Sequence, residues 1–242
     1  MNDRMTYLRA YGASYGKAIG FMIAMPLAAA VLIGVEFAQH VVEVKLGMLQ
    51  SFEGAQAAEQ HPARLMAGTF KQITTNMVAF FAIRYALFGN DAAAAARPDA
   101  RAMLLYLPVI LFQLAYGAVI TLAVPVEHGM TAMLAGFLLL PLLVRWSTGA
   151  AVGKWISPLA SARSMLPHLP FAAALTVGAM LPLMVLHYGL FFGAVGKAPT
   201  VVWGLMALDS LVVGLLIPVA AIANVIAALR PGRLKERDVA AA

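Results

Sequence analysis

The chain contains six apolar stretches, each about 20 residues or longer, and their recurrence constrains the fold more than any other feature. A helix of about 20 apolar residues crosses the hydrocarbon core of a bilayer, so each stretch predicts a membrane-spanning helix. The predicted fold is therefore all-α, a single polytopic transmembrane helix bundle over residues 1–242 with short interfacial segments. The predicted spans are residues 17–40, 65–88, 102–124, 130–152, 169–191 and 200–229, with a polar tail at 230–242.

The composition supports the same class. Hydrophobic residues make up 62% of the chain and charged residues only 12%, whereas soluble domains contain about 25% charged residues. Six spans in 242 residues leave no room for a soluble catalytic domain. The absence of cysteine excludes disulfides, thiolate catalysis and cysteine-ligated clusters. The net charge of +6 comes from basic residues near span ends, so we expect lipid headgroups as partners and no nucleic acid.

The distribution of Lys and Arg over alternate loops predicts the orientation. Short cytoplasmic loops carry an excess of these residues, so the richer side is assigned to the cytoplasm. Both termini then lie in the cytoplasm, and the composition is typical of a bacterial inner-membrane protein. Arg84 and Arg145 lie near cytoplasmic span ends and are expected to snorkel to the headgroups. The cytoplasmic side receives Arg4, Arg9, Lys17, Arg97, Arg101, Lys154, Arg163, Arg230, Arg233, Lys235 and Arg237; the outer side receives Lys45, Arg64 and Lys197.

Glu36, His40 and Glu43 share one face of the first predicted helix. At about 100° per residue, His40 lies roughly 40° to one side of Glu36 and Glu43 roughly 20° to the other. A carboxylate one turn from a histidine can bind a metal beside it or accept its ring N–H. The three residues therefore predict a site for a ligand, a proton or a metal ion, or else a structural polar contact at the headgroup level.

Two further histidines are predicted near the same membrane face. His128 follows Glu127 in the loop after the third span, and His187 lies near the outer end of the fifth span. Imidazole and carboxylate groups suit iron, manganese or zinc, so one interpretation is a divalent metal at the outer face. Its ligands would come from Glu36, His40, Glu43, His128 and His187. No HExxH motif is present, and no cofactor is assigned.

Asp209 and Lys71 are ionisable residues inside predicted spans. Asp209 lies about 13 Å from the start of its span, at 1.5 Å per residue, where a charge needs a partner or water. Lys71 enters the second span from the same side at a similar depth, so we expect a Lys71–Asp209 pair. The polar character of that second span predicts that it faces protein and not lipid. A ligand or proton site would combine Asp209 and Lys71 with Glu36, His40 and Glu43.

These features predict a non-enzymatic inner-membrane protein, an accessory or scaffold subunit that associates with other membrane subunits or with itself. One alternative is a small transporter with its polar site at Asp209, Lys71 and the Glu36–His40 face. Another is a metal-dependent membrane enzyme that uses the outer His and Glu residues. Neither a P-loop nor a GxSxG elbow is present, so nucleotide hydrolysis and serine esterase chemistry are not expected.

One segment also carries a family resemblance. Val144-Arg145-Trp146 ends a predicted span, and the stretch ISPLASARS at 156–164 precedes the next. This pattern resembles bacterial six-helix proteins of the YciC-like family and the membrane domain attached to some glycerophosphodiester phosphodiesterases. The resemblance implies a six-helix membrane fold without a particular activity, because the phosphodiesterase chemistry of the fused proteins resides in a separate soluble domain.

Overall fold

The computed structural model describes residues 6–124, 128, 131, 132, 135, 136 and 139–230, and these residues contain helices and no strand. Two short 3₁₀ turns, Leu140–Leu143 and Leu166–His168, precede two of the helices. The helices are α1 (Tyr7–Ala24), α2 (Pro26–Lys45), α3 (Phe52–Ala58), α4 (Pro62–Leu87), α5 (Ala92–Ala96), α6 (Ala100–Leu122), α7 (Val144–Ala151), α8 (Pro158–Met165), α9 (Leu169–Ala194) and α10 (Pro199–Leu229).

Four helical segments are long and apolar enough to cross a membrane: Pro26–Lys45, Ala100–Leu122, Pro158–Ala194 and Pro199–Leu229. The all-helical, multi-pass class is thereby confirmed. The number of six spans stays a prediction, because the predicted span at 130–152 lies partly outside the described residues. The predicted second span corresponds to α4, which is long but interrupted by polar side chains.

Helix α10 lies at the centre of the bundle and packs against α1, α2, α4, α7 and α9. Its sequence is apolar around the whole circumference, as expected of a helix that is buried on most sides. Val219, Ile222 and Ala223 are fully buried in the main hydrophobic core. On the outside of the bundle, exposed side chains such as Leu104 of α6 are also apolar, which suits contact with lipid. The only carboxylate of α10, Asp209, is therefore carried into the middle of the protein.

The first predicted span, residues 17–40, contains a helix junction. Met25 has φ −127° and ψ 61°, and the chain restarts as α2 at Pro26. Proline lacks the N–H that would continue the helix and clashes with the preceding turn, so the break falls where this residue stands. Helix α1 then lies against α9 and α10, where the Tyr15 hydroxyl donates to the carbonyl of Ala179 at 2.8 Å.

Arg84 and Arg145 are buried, with 2% and 7% of their surfaces exposed, so the expectation that they snorkel is wrong. The guanidinium of Arg84 donates to the carbonyls of Ala95 at 2.8 Å, Arg97 at 3.0 Å and Ala151 at 3.2 Å. These carbonyls belong to the ends of α5 and α7, which have no partners within their own helices. Arg84 therefore joins α4 to the ends of α5 and α7 instead of reaching the headgroups.

Candidate functional site

Glu36, His40 and Glu43 lie on the inward face of α2, with 0%, 2% and 3% of their surfaces exposed. This helix packs against α4 and α10, so the face shared by the three residues is directed at both neighbours. Residues at i, i+4 and i+7 lie on one side of a helix, which explains why all three are buried together. Ionisable groups in such a position need partners, because an isolated buried charge is strongly unfavourable.

The imidazole of His40 is surrounded by three carboxylates. Its Nδ1 lies 2.9 Å from Oε2 of Glu43, and its Nε2 lies 2.9 Å from Oδ2 of Asp209 and 3.5 Å from Oε1 of Glu36. An ionised carboxylate only accepts hydrogen bonds, so Nδ1 carries the proton that it donates to Glu43. The other ring nitrogen then faces the remaining two carboxylates.

Asp209 and Lys71 have different partners from those expected. Asp209 is fully buried and accepts from Nδ1 of His187 on α9 at 2.7 Å. Nζ of Lys71 on α4 lies 2.8 Å from both carboxylate oxygens of Glu36. The predicted Lys71–Asp209 pair is therefore wrong: Lys71 is directed from α4 onto α2, while Asp209 on α10 contacts α2 and α9.

Glu43 has two more partners that the sequence analysis did not identify as site residues. It accepts from Nε2 of Gln39 at 2.8 Å, and Nε of Arg64 lies 3.7 Å from the same oxygen. Arg64 stands seven residues before Lys71, which places both cations on the same side of α4. This seven-residue spacing in the sequence could have identified Arg64 as a neighbour of Lys71 at the site. The cluster thus contains three carboxylates, those of Glu36, Glu43 and Asp209, and two Lys or Arg cations, Lys71 and Arg64.

The structure brings only some of the predicted metal ligands together. Among the described residues, one group brings ligand atoms within 4.8 Å of one another, and it consists of Glu36, His40 and Asp209. Glu43 and His187 each contact one member of this group. His128 is exposed, and the structure shows it in no contact with the group, while its neighbour at 127 lies outside the described residues. The sequence predicted Asp209 only for a ligand or proton site, but the structure shows that it is a member of this group.

Two cavities with mixed polar and apolar walls lie along α4, and the first of them borders this ionic cluster. The first, here called the Lys71 cavity, has a volume of about 680 Å³, and Gln39, Arg64 and Lys71 form the part of its wall that touches the cluster. The second, the Asn224 cavity, has a volume of about 340 Å³. Its wall includes the intramembrane residues Asn76, Gln113, Thr176 and Asn224. The hydroxyl of Thr176 donates to Oδ1 of Asn224 at 2.9 Å, so one of these amides also joins α9 to α10.

The two cavities follow one another along α4. Gln72, Thr75 and Ile217 line both of them. The lining side of α4 begins at Arg64 in the first cavity and reaches Ile83 in the second. At 1.5 Å per residue this distance is about 28 Å, close to the roughly 30 Å thickness of a bilayer core. The two cavities together therefore follow α4 over about the depth of a membrane core, between α4, α6 and α10, and the polar lining residues of α4 extend from Arg64 to Asn76.

No family model, no curated protein and no solved structure matches this chain.

Proposed function

We propose that this protein is a small multi-pass transporter in which a polar solute crosses the membrane through the Lys71 and Asn224 cavities. The observation that carries the proposal is their shared wall at Gln72, Thr75 and Ile217, which makes the two cavities neighbours along α4. A helix that only supports its neighbours would be expected to fill this space with side chains, since protein interiors are close-packed.

The chemistry of the walls supports a polar solute. Amide and hydroxyl groups of Gln72, Thr75, Asn76, Gln113 and Asn224 line the cavities, and such groups can replace the hydrogen bonds that a solute makes to water. The cations at the wall, Lys71 and Arg64, are paired with Glu36 and Glu43. Ligand cavities commonly measure about 300–1,000 Å³, a range that includes both volumes.

The predicted topology adds a direction to this proposal. If both termini are cytoplasmic in a bacterial inner membrane, as the Lys and Arg distribution predicts, the Lys71 cavity opens outward and the Asn224 cavity lies nearer the cytoplasm. The accessory or scaffold role, and the relation to YciC-like six-helix proteins, stay predictions. A scaffold needs no water between α4 and α6, and this difference can be measured.

The experiment uses the natural absence of cysteine in the chain. We expect Thr75→Cys to react with a membrane-impermeant thiol reagent, because the side chain lines both cavities. Ala82→Cys on the same helix is the buried control, since Ala82 is fully buried, and Lys197→Cys is the exposed one. Labelling rates are measured by mass spectrometry in right-side-out and in inverted membrane vesicles.

A passage predicts that Thr75→Cys is labelled in both kinds of vesicle. In right-side-out vesicles, where Lys197→Cys faces the reagent, its rate should be closer to that of Lys197→Cys than to that of Ala82→Cys. If Thr75→Cys is as unreactive as Ala82→Cys, or reacts from one side only, the transport proposal is wrong. Labelling of all three variants in denaturant checks that each cysteine is present and competent.

A further inference from the structure

We infer that Glu36, His40 and Asp209 form a binding site for a divalent transition-metal ion of the Zn²⁺ type. The inference is independent of the transport proposal, because it concerns the ionic cluster and can be tested without a membrane. It differs from the metal site predicted from the sequence by including Asp209 as a ligand and by leaving Glu43, His128 and His187 out of the ligand set.

The spacing of the three groups fits one ion. Nε2 of His40 lies 2.9 Å from Oδ2 of Asp209 and 3.5 Å from Oε1 of Glu36. Zinc binds nitrogen and oxygen at about 2.0–2.2 Å in tetrahedral sites, so two ligand atoms of one ion lie about 3.3–3.6 Å apart. To reach that separation from Nε2 of His40, Oδ2 of Asp209 would need to move by about half an ångström, and the ligand atoms of all three residues already lie within 4.8 Å of one another.

The ring nitrogen Nε2 of His40 is directed at two carboxylates, where its lone pair could bind a metal ion together with their oxygens. His40 is 98% buried, and within the described part of the chain Nε2 has no partner in hydrogen-bond geometry, although Oδ2 of Asp209 is near in distance. Nδ1 already donates to Glu43, so a neutral imidazole directs the lone pair of Nε2 at two carboxylates. Such an arrangement is repulsive unless a proton or a metal ion lies between the groups. The three carboxylates of the cluster also outnumber its Lys and Arg cations by one, which favours binding of a cation.

Each of the three ligands is also held by a second residue. Glu43 binds Nδ1 of His40, His187 donates to Asp209, and Lys71 donates to Glu36. Metal-bound histidines usually donate their other ring N–H to a carboxylate or a carbonyl, and metal-bound carboxylates are in turn hydrogen-bonded. The cluster therefore contains both the ligands of a metal site and the groups that orient them.

The ligand types select the class of metal. One imidazole and two carboxylates suit Zn²⁺, Fe²⁺ or Mn²⁺, whereas Ca²⁺ and Mg²⁺ prefer oxygen ligands alone. Three protein ligands leave a fourth position open, as in zinc sites that bind water or substrate. An ion can approach from the Lys71 cavity, because Gln39 and Lys71 line that cavity and touch Glu43 and Glu36.

The experiment is a titration of the purified full-length protein in detergent. The chain is first treated with a chelator and then titrated with Zn²⁺ in competition with a chromophoric chelator, with Co²⁺ as a spectroscopic probe. We expect about one Zn²⁺ per chain and the visible absorption of tetrahedral Co²⁺, because a four-coordinate site holds one ion. His40→Gln and Asp209→Asn should abolish both signals. His128→Gln is the matched control and should leave both unchanged, since His128 is exposed.

Glu43→Gln keeps the three ligands and changes only the group that orients His40. We expect it to weaken Zn²⁺ binding by about 10–100-fold, the usual effect of losing such a partner. Circular dichroism confirms that each variant is folded, and Zn²⁺ should raise the melting temperature of the wild type but not of His40→Gln. Equal binding by the wild type and folded His40→Gln, or no binding by the folded wild type, would overturn the inference. If the folded wild type binds no metal, a proton on His40 would be the cation that balances the neighbouring carboxylates.

Discussion

At the scale of single residues, the partner of each buried charge decides its role. Lys71 neutralises Glu36, and His187 binds Asp209, so neither acid is left alone in the interior. Arg84 differs because its main partners are backbone carbonyls at the ends of α5 and α7. A planar guanidinium can reach several acceptors at once, whereas a lysine ammonium acts as a point charge.

We therefore expect Arg84→Lys to lower the free energy of unfolding by about 1–3 kcal/mol, the effect of leaving one buried polar group unsatisfied. Thermal unfolding in detergent, followed by circular dichroism, measures the change. Arg97→Lys is the matched control: the Arg97 side chain is exposed, so its substitution should change stability by about 0.5 kcal/mol or less. Equal stability of the two variants would show that the carbonyl contacts of Arg84 contribute little.

At the scale of helices, the cluster depends on the close approach of α2 to α10. Gly214 lies where the two helices meet, and a Cβ atom at this position would come within 2.6 Å of the side chain of Ile33 on α2. Glycine allows the backbones to approach in this way, as small residues do between membrane helices. The same approach brings His40 within reach of Asp209.

Gly214→Leu should force α2 away from α10 and lower the free energy of unfolding by about 1–3 kcal/mol, as overpacking does in well-packed interiors. Gly204→Leu on the same helix is the control, because a Cβ at Gly204 has no neighbour within 4 Å. Replacing this glycine should be neutral or stabilise α10 by up to about 1 kcal/mol. Unfolding curves of both variants measure this difference in the free energy of unfolding. Equal stability of Gly214→Leu and Gly204→Leu would contradict a tight contact between α2 and α10.

At the scale of the whole molecule, α4 and α6 are separated by the cavities while α2, α9 and α10 are packed closely. The bundle therefore combines close contacts of α10 with α2 and α9 at the ionic cluster with two cavities whose largely apolar walls also carry amides and hydroxyls. Gly117 on α6 borders the Lys71 cavity opposite Gln72, and a Cβ there would lie 3.2 Å from Oε1 of Gln72. A large side chain at this position would fill the shared part of the cavities.

We expect Gly117→Trp, introduced into the Thr75→Cys protein, to slow thiol labelling several-fold because the indole occupies the space in front of residue 75. Gly12→Trp on α1 is the control, since a Cβ at Gly12 has no neighbour within 4 Å. Labelling rates in vesicles provide the measurement. Unchanged labelling in folded Gly117→Trp would mean that reagent reaches Thr75 by a route other than the Lys71 cavity.

The sequence alone determined the helical membrane class and the common face of Glu36, His40 and Glu43. Both follow from local rules: apolar stretches of sufficient length predict spans, and 100° per residue places these three side chains on one side. The polar face of α4 was also readable, although the role of Arg64 was missed.

Only the tertiary structure decided which charges meet. Lys71 binds Glu36 instead of Asp209, His187 joins Asp209, and Arg84 is buried among helix ends. The helical period sets the direction of a side chain around its own axis, but not the distance or rotation between two helices. Those depend on how side chains such as Ile33 pack against Gly214, and they involve residues far apart in the chain.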